Sequence, residues 1–274
     1  MGGARDMARY VHGYSSRETE RLCDQSGILE RLLHRGTEYP PGRRVLEVGC
    51  GVGAQTLVLA RRNPGAAIVS IDISAGSLSQ ASGLIQGAGG ANVEFLQADA
   101  LNLPFPAGSF DHAYVCFVLE HLPEPGRALR EIQRILRTGG NVTVIEGDHG
   151  SCLWHPFTEA SRRVWECLIE VQRRLGHDPL IGRQLFPLLL QAGFTDIKVA
   201  PRWVYTDAND PEGMDGVVNR IICPMVETAR VSALRSGLIE LEGWEKGMAD
   251  LHLAALPPHG VFFYNWFKGV GISG

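Results

Sequence analysis

Short apolar runs and helix-spaced apolar stripes alternate from Arg43 onward for about a hundred residues, the arrangement that builds a parallel sheet with crossover helices. Val45-Leu46-Glu47-Val48 reads as a buried strand running into the glycine turn Gly49-Cys50-Gly51-Val52-Gly53. A helix begins near Ala54 and stops before Asn63-Pro64-Gly65. Ala67–Ile71 is a second strand ending in Asp72, and Ser74 N-caps a helix that dies in Gly87-Ala88-Gly89-Gly90. Val93–Leu96, the third strand, closes in Ala98-Asp99-Ala100. Phe110–Val118 contains a fourth strand, Pro123–Leu136 forms a helix, and Thr138-Gly139-Gly140 turns into a fifth strand, Val142–Glu146.

Beyond Glu146 the regularity loosens. His155–Leu175 carries apolar positions at helical spacing and Gln184–Gln191 reads as another helix. Gln191-Ala192-Gly193-Phe194 leads into a strand at Ile197–Val199, Asp210–Leu253 reads as mostly helical, and Val261–Phe267 is a last strand. The expected organisation is an N-terminal flap over residues 1–42, ahead of a doubly wound α/β core at 43–274. Helical insertions at about 151–183 and 203–258 interrupt that core.

Composition narrows the function. Lys and Arg number 26 against 30 Asp and Glu, a formal net charge of −4, and the basic residues are scattered as pairs such as Arg43-Arg44 and Arg173-Arg174. A nucleic-acid partner therefore has no electrostatic support. The six cysteines include no C-x-x-C pair, so a metal site or redox dithiol is not expected, and the setting reads as reducing and cytoplasmic. The first residues lack an apolar core of the secretory kind, and the longest apolar runs are too short to span a bilayer.

The glycine turn alone is a weak signal, compatible with a bare turn or with the dinucleotide pattern G-x-G-x-x-G/A. Its ordered company is more telling. Glu47 precedes the first glycine by two, Asp72 ends the second strand, Asp99-Ala100 ends the third, and the fourth runs into Leu119-Glu120-His121-Leu122. These positions lie at strand C-terminal ends, where open α/β sheets bind ligands. S-adenosylmethionine matches them piece by piece. Gly49, Cys50 and Gly51 let the backbone approach the amino-acid tail and ribose, and Asp72 can accept both ribose hydroxyls. Asp99 can accept the adenine amino group while the Ala100 N–H donates to a ring nitrogen, and Glu47 can stand near the tail ammonium.

Val45 through Gly53 resembles the first signature motif of class I S-adenosylmethionine-dependent methyltransferases. Asp99 through Phe105, Ser109-Phe110-Asp111-His112-Ala113, Leu119-Glu120-His121-Leu122 and Ile135 through Gly140 resemble the later signatures, and Gln191-Ala192-Gly193-Phe194 the turn before the sixth strand. The subgroup it is most similar to is that of quinone-biosynthesis and sterol or natural-product carbon methyltransferases. The resemblance implies a Rossmann-like seven-stranded sheet with its last strand antiparallel, an N-terminal helical flap bearing Tyr14, and insertions that cap the acceptor site. It adds Ile73, Phe117 and His121 to the cofactor contacts, against the plainer readings of core packing for Phe117 and Tyr14 and a helix cap for His121.

Methyl transfer asks the protein mainly to hold three atoms in line and exclude water, with a base only where the acceptor loses a proton. Glu146-Gly147-Asp148-His149-Gly150 places titratable groups beyond the fifth strand, so His149 is the candidate base and Glu146 a candidate charge balance; a structural turn before Trp154 is the alternative. Trp203, Tyr205, Trp244, Phe262, Phe263, Tyr264, Trp266 and Phe267 supply aromatic surface for either a core or an apolar acceptor pocket. The expected partner is a small, largely apolar molecule, aromatic, quinone-like or prenylated, with carbon favoured slightly over oxygen or nitrogen; homo-oligomerisation is left open. A nicotinamide-dependent oxidoreductase and a non-enzymatic module that keeps the fold are the competing readings. Glu47 and Asp99-Ala100 weigh against the first, and the intact carboxylates against the second.

Overall fold

The computed structural model describes residues 16–274, which form two compact units. The larger comprises Glu30–Asp148, Leu180–Arg202 and Trp266–Gly274. The smaller gathers the described residues up to Leu29 with His149–Pro179 and Trp203–Asn265.

The sheet of the larger unit contains β1 (Arg44–Val48), β2 (Ala67–Asp72), β3 (Val93–Gln97), β4 (Phe110–Cys116), β5 (Leu136–Gly147), β6 (Phe194–Thr206) and β7 (Val261–Ser273). The last two strands draw their remaining residues from the smaller unit. Strand order is β3-β2-β1-β4-β5-β7, with β6 paired to β7 and a short eighth strand, Leu153–His155, also paired to β7. The first five strands are mutually parallel and β7 returns antiparallel to β5, with Glu146 opposite Phe267. This is the Rossmann-like sheet, last strand antiparallel, that the motifs imply. β1 and β4 are buried on both faces, as parallel strands covered by helices must be, and so read as continuous apolar runs.

Four helices flank this sheet: α1 (Ala54–Arg62), α2 (Ala75–Gly87), α3 (Pro125–Ile135) and α4 (Leu185–Gln191). Ala128, Leu129, Ile132 and Ile135 make the apolar stripe of α3, packed in one core with Leu46, Val69, Val115 and Val144 of the sheet and Leu185 and Leu189 of α4. Ser74 caps α2 as expected, its Oγ accepting the Ser77 N–H at 3.2 Å.

Several boundaries differ from the sequence reading. The fifth strand extends back to Leu136, because the turn at Gly139 (φ 77°) is absorbed as an irregularity in the β4–β5 register. The sixth extends from Phe194 to Thr206 and tolerates Pro201 because it is an edge strand. The helix expected from His155 begins at Glu159, and Leu153–His155 instead pair with Val261–Phe263. Pro156 biases His155 to an extended backbone, and Thr158 supplies the N-cap, accepting the Ser161 N–H.

In the smaller unit, the helices Glu159–Arg174 and Leu241–His252 cross closely at Gly247, where a Cβ would stand 2.4 Å from Val164 Cγ1. Ser16–Ile28 lies against the wide helical segment Asp215–Ile222, with an Arg220–Asp24 ion pair at 3.4 Å.

Candidate cofactor site

Three glycines shape the turn after β1, each for a different reason. Gly49, Gly51 and Gly53 have φ of 70°, 53° and 87°, the left-handed region that a side chain disfavours. A Cβ on Gly49 would stand 2.5 Å from Val118 Cγ2, so the absence of a side chain lets the turn close against the loop after β4. A Cβ on Gly53 would meet Ala81 of α2 at 2.9 Å. A Cβ on Gly51 would meet nothing within 4 Å, which leaves that backbone approachable. Gly49 and Cys50 donate their N–H groups to Ile71 O at 2.8 and 2.9 Å, tying the turn to the end of β2.

Asp72 completes the connection. Its Oδ2 accepts the Gly51 N–H and its Oδ1 the Ser74 N–H, each at 2.9 Å. Burial raises its pKa while these backbone donors oppose the shift. Each oxygen keeps spare acceptor capacity, so a diol at this edge would meet a carboxylate already held in place. Ile73 follows with its side chain 49% exposed, an apolar surface beside the Gln97 side chain, which donates to Ile73 O at 2.9 Å. Asp99, at an exposed position beyond β3, folds its Oδ1 onto the Leu101 N–H at 2.8 Å. Ala100 packs at the margin of the core beside Leu101. The open backbone at Gly51 and the anchored carboxylate of Asp72 fit a nucleoside with an amino-acid tail.

Glu47 lies deeper. It is buried, its Oε2 accepts the Ser70 hydroxyl at 2.6 Å, and burial pushes its pKa up to about 7 despite that bond.

The β4 end is unusual. Phe117 adopts φ 58°, a true outlier for a bulky side chain. Its N–H donates to Ile145 O at 2.9 Å, and the next two N–H groups, of Val118 and Leu119, donate to Glu146 Oε1 at 3.0 and 2.7 Å. Glu146 is 0% exposed; burial, then the like charge of Glu120, push its pKa up to about 8. His121 is half-buried with its Nε2 3.5 Å from Glu120 Oε1. Tyr14 lies outside the described residues.

Beyond β5, Asp148 is held by Arg183 through two bonds of 2.9 and 2.8 Å. In the smaller unit His149 is buried, its Nδ1 2.6 Å from the Tyr264 hydroxyl and its backbone O accepting from Trp165 Nε1 at 2.9 Å. Its Nε2 has no hydrogen-bond partner among the described residues. Burial, aided by the Arg21 charge, lowers its pKa to about 4 and keeps the ring neutral. Sequence reasoning marked His149 and, separately, the aromatic Tyr264, but could not pair the two, which are 115 residues apart. Nor could it show that the partners of Glu146 are backbone groups.

Of the aromatic residues, Trp244, Phe262, Tyr264 and Trp266 are buried, whereas Trp203, 57% exposed, stacks on Phe263 at 6.4 Å. The described residues contain no His, Cys, Asp or Glu group able to hold a metal ion, and no helix among them is long and apolar enough to cross a membrane. All six cysteines are free thiols.

Residues 46–144 match the model of a methyltransferase domain. The chain is 32% identical over 205 residues to the O-methyltransferase resE of Aspergillus sclerotiorum, covering 70% of this chain and 73% of that one. It is 38% identical over 116 residues to a demethylmenaquinone methyltransferase of Thermus thermophilus, covering 42% of this chain and 52% of the relative. The chain spans about half the length of several curated relatives it matches. Among solved structures it shares its fold with the [4+2]-cyclase SpnF at TM-score 0.53 and 22% identity, over 96% of this chain and 85% of that one. The ordered turn, the carboxylates at the ends of β2 and β3, the parallel sheet and the resE match agree: the chain belongs to the methyltransferase domain family.

Proposed function

We propose that this protein is an S-adenosylmethionine-dependent methyltransferase acting on a small, largely apolar acceptor, aromatic, quinone-like or prenylated, at carbon in preference to oxygen or nitrogen. The observation that carries the donor half is Asp72, fixed through both carboxylate oxygens to the Gly51 and Ser74 N–H groups beside an unobstructed glycine backbone. Gly49, Cys50 and Gly51 take the amino-acid tail, Asp72 the ribose, Ile73 a face of the base, Asp99 its amino group and the Ala100 N–H a ring nitrogen. Phe117 and His121 border the methionine end, and Glu47 stands near the tail ammonium. When bound, the donor supplies a methyl carbon already activated by positive sulfur. The protein then has to align the acceptor and exclude water.

The acceptor half is supported by the relative named for demethylmenaquinone, while the relative named as an O-methyltransferase keeps oxygen as the second choice. We assign the acceptor-side polar contact to His149, whose neutral ring is oriented by Tyr264 and whose Nε2 donates or accepts according to tautomer. The setting is cytoplasmic and no nucleic acid takes part.

Calorimetry with S-adenosylhomocysteine and with NADH tests the donor assignment; tight binding of NADH alone overturns it. Transfer of labelled methyl to a panel of phenols, quinols and prenylated compounds tests the acceptor class. Replacing His149 by Gln is expected to slow turnover by roughly 100-fold with donor affinity unchanged, and equal rates would return it to the scaffold.

A further inference from the structure

The loop after β4 holds a bulky residue in a conformation that the backbone alone disfavours, and such strain persists only where surrounding contacts over-determine it. Three successive N–H groups are fixed there. That of Phe117 goes to Ile145 O, and those of Val118 and Leu119 converge on one oxygen of Glu146. The loop also touches the glycine turn, because Val118 occupies the space that a Cβ on Gly49 would need. A contact path thus runs from Glu146 through the Val118 backbone to the Val118 side chain and Gly49, all within the larger unit. Glu146 Oε2 has no hydrogen-bond partner among the described residues, so the side chain commits its bonding to the loop alone.

We propose that Glu146 is a positioning residue for methyl transfer: by gathering the Val118 and Leu119 N–H groups on Oε1 it holds Phe117 left-handed and seats Val118 against the glycine turn. The inference rests on the donor assignment above and gives Glu146 a task beyond charge balance. Only the acceptor oxygen is required, so an amide serves in its place. Burial and the neighbouring Glu120 carboxyl both disfavour a negative charge at Glu146 and so agree with that requirement. Other ionisable groups near this end of the sheet, among the described residues, are Cys116, which interacts with Glu146, Glu47 and Lys268, His121, which stands against Glu120, and the paired Asp148 and Arg183.

The test compares E146Q, which keeps the oxygen, with E146M, which fills the volume and cannot accept. Two readouts are taken: amide hydrogen exchange at Val118 and Leu119, and calorimetric affinity for S-adenosylhomocysteine. E146Q is expected to keep protection and to bind within threefold of wild type, whereas E146M exchanges both amides at least tenfold faster and binds at least tenfold more weakly. Wild-type protection and affinity in E146M overturn the proposal. Should E146M fail to fold, E146Q still decides: a folded E146Q that loses tenfold in affinity overturns it, and one that binds as wild type supports it. If wild type itself fails to bind S-adenosylhomocysteine, the donor assignment and this inference fall together. If wild type binds and E146M matches it, only the inference falls.

Discussion

Asp72 and Glu146 stand at the C-terminal ends of β2 and β5, on either side of the central pair β1 and β4, and each accepts two backbone N–H groups. Asp72 spreads its bonds over two oxygens at a half-buried edge, so both retain capacity for a ligand. Glu146 concentrates its bonds on one oxygen in the interior. The difference separates recognition from scaffold more sharply than residue type does. A carboxylate with spare lone pairs at a half-buried edge can meet a diol, while one sunk among backbone donors can only shape the loop that supplies them.

The largest effect expected from this contrast is on pH stability. Glu146 and Glu47 have pKa values raised to about 8 and about 7, so the folded chain retains protons that the unfolded chain releases above the ordinary carboxylate range. Their contribution is complete below that ordinary range and is lost as pH rises through about 7 and then about 8. Urea midpoints should therefore fall between pH 5 and pH 8, and E47Q and E146Q should each flatten the decline. A midpoint that climbs over this interval would show that the two groups ionise normally.

Next in size is Gly49→Ala, which combines a left-handed backbone with a Cβ 2.5 Å from Val118. We expect a loss of about 2–4 kcal/mol in unfolding free energy. Gly51→Ala, with the same strain and no clash, should cost about 1 kcal/mol and act mainly on donor binding. Equal losses in the two would mean that Val118 does not press on the turn. Asp72→Ala should weaken donor binding by roughly 1–3 kcal/mol with the fold retained. Normal affinity in that variant would remove Asp72 from the recognition side of the comparison. Asp99→Ala should give the smallest change, about 1 kcal/mol in affinity, since its exposed carboxylate already spends one oxygen on the Leu101 N–H. A loss larger than that of Asp72→Ala would invert the ranking.

The local contacts of the carboxylates after β2 and β3 were legible because they are made with neighbours close in sequence. Asp72 meets Ser74 two residues on, Asp99 meets Leu101 two residues on, and Ser74 caps the helix that follows. The surroundings of Glu146 and His149 were not legible in the same way. Val118 is 28 residues from Glu146, and Tyr264 is 115 from His149. Only half of the eight C-terminal aromatic residues, Trp244, Phe262, Tyr264 and Trp266, are buried, a division the sequence did not show because aromatic residues have the same sequence signal whether they fill an interior or line a cleft.

Residue order alone determined the alternation of strands and helices, the glycine turn and the carboxylates at strand ends, because apolar period, caps and turn chemistry act over a few residues. Tertiary structure alone decided which carboxylate stands at a half-buried edge and which is sealed beneath a loop, how far β5 and β6 extend, and which hydroxyl orients His149. Those outcomes depend on burial and on partners brought from distant parts of the chain, and neither is written in any local stretch of residues.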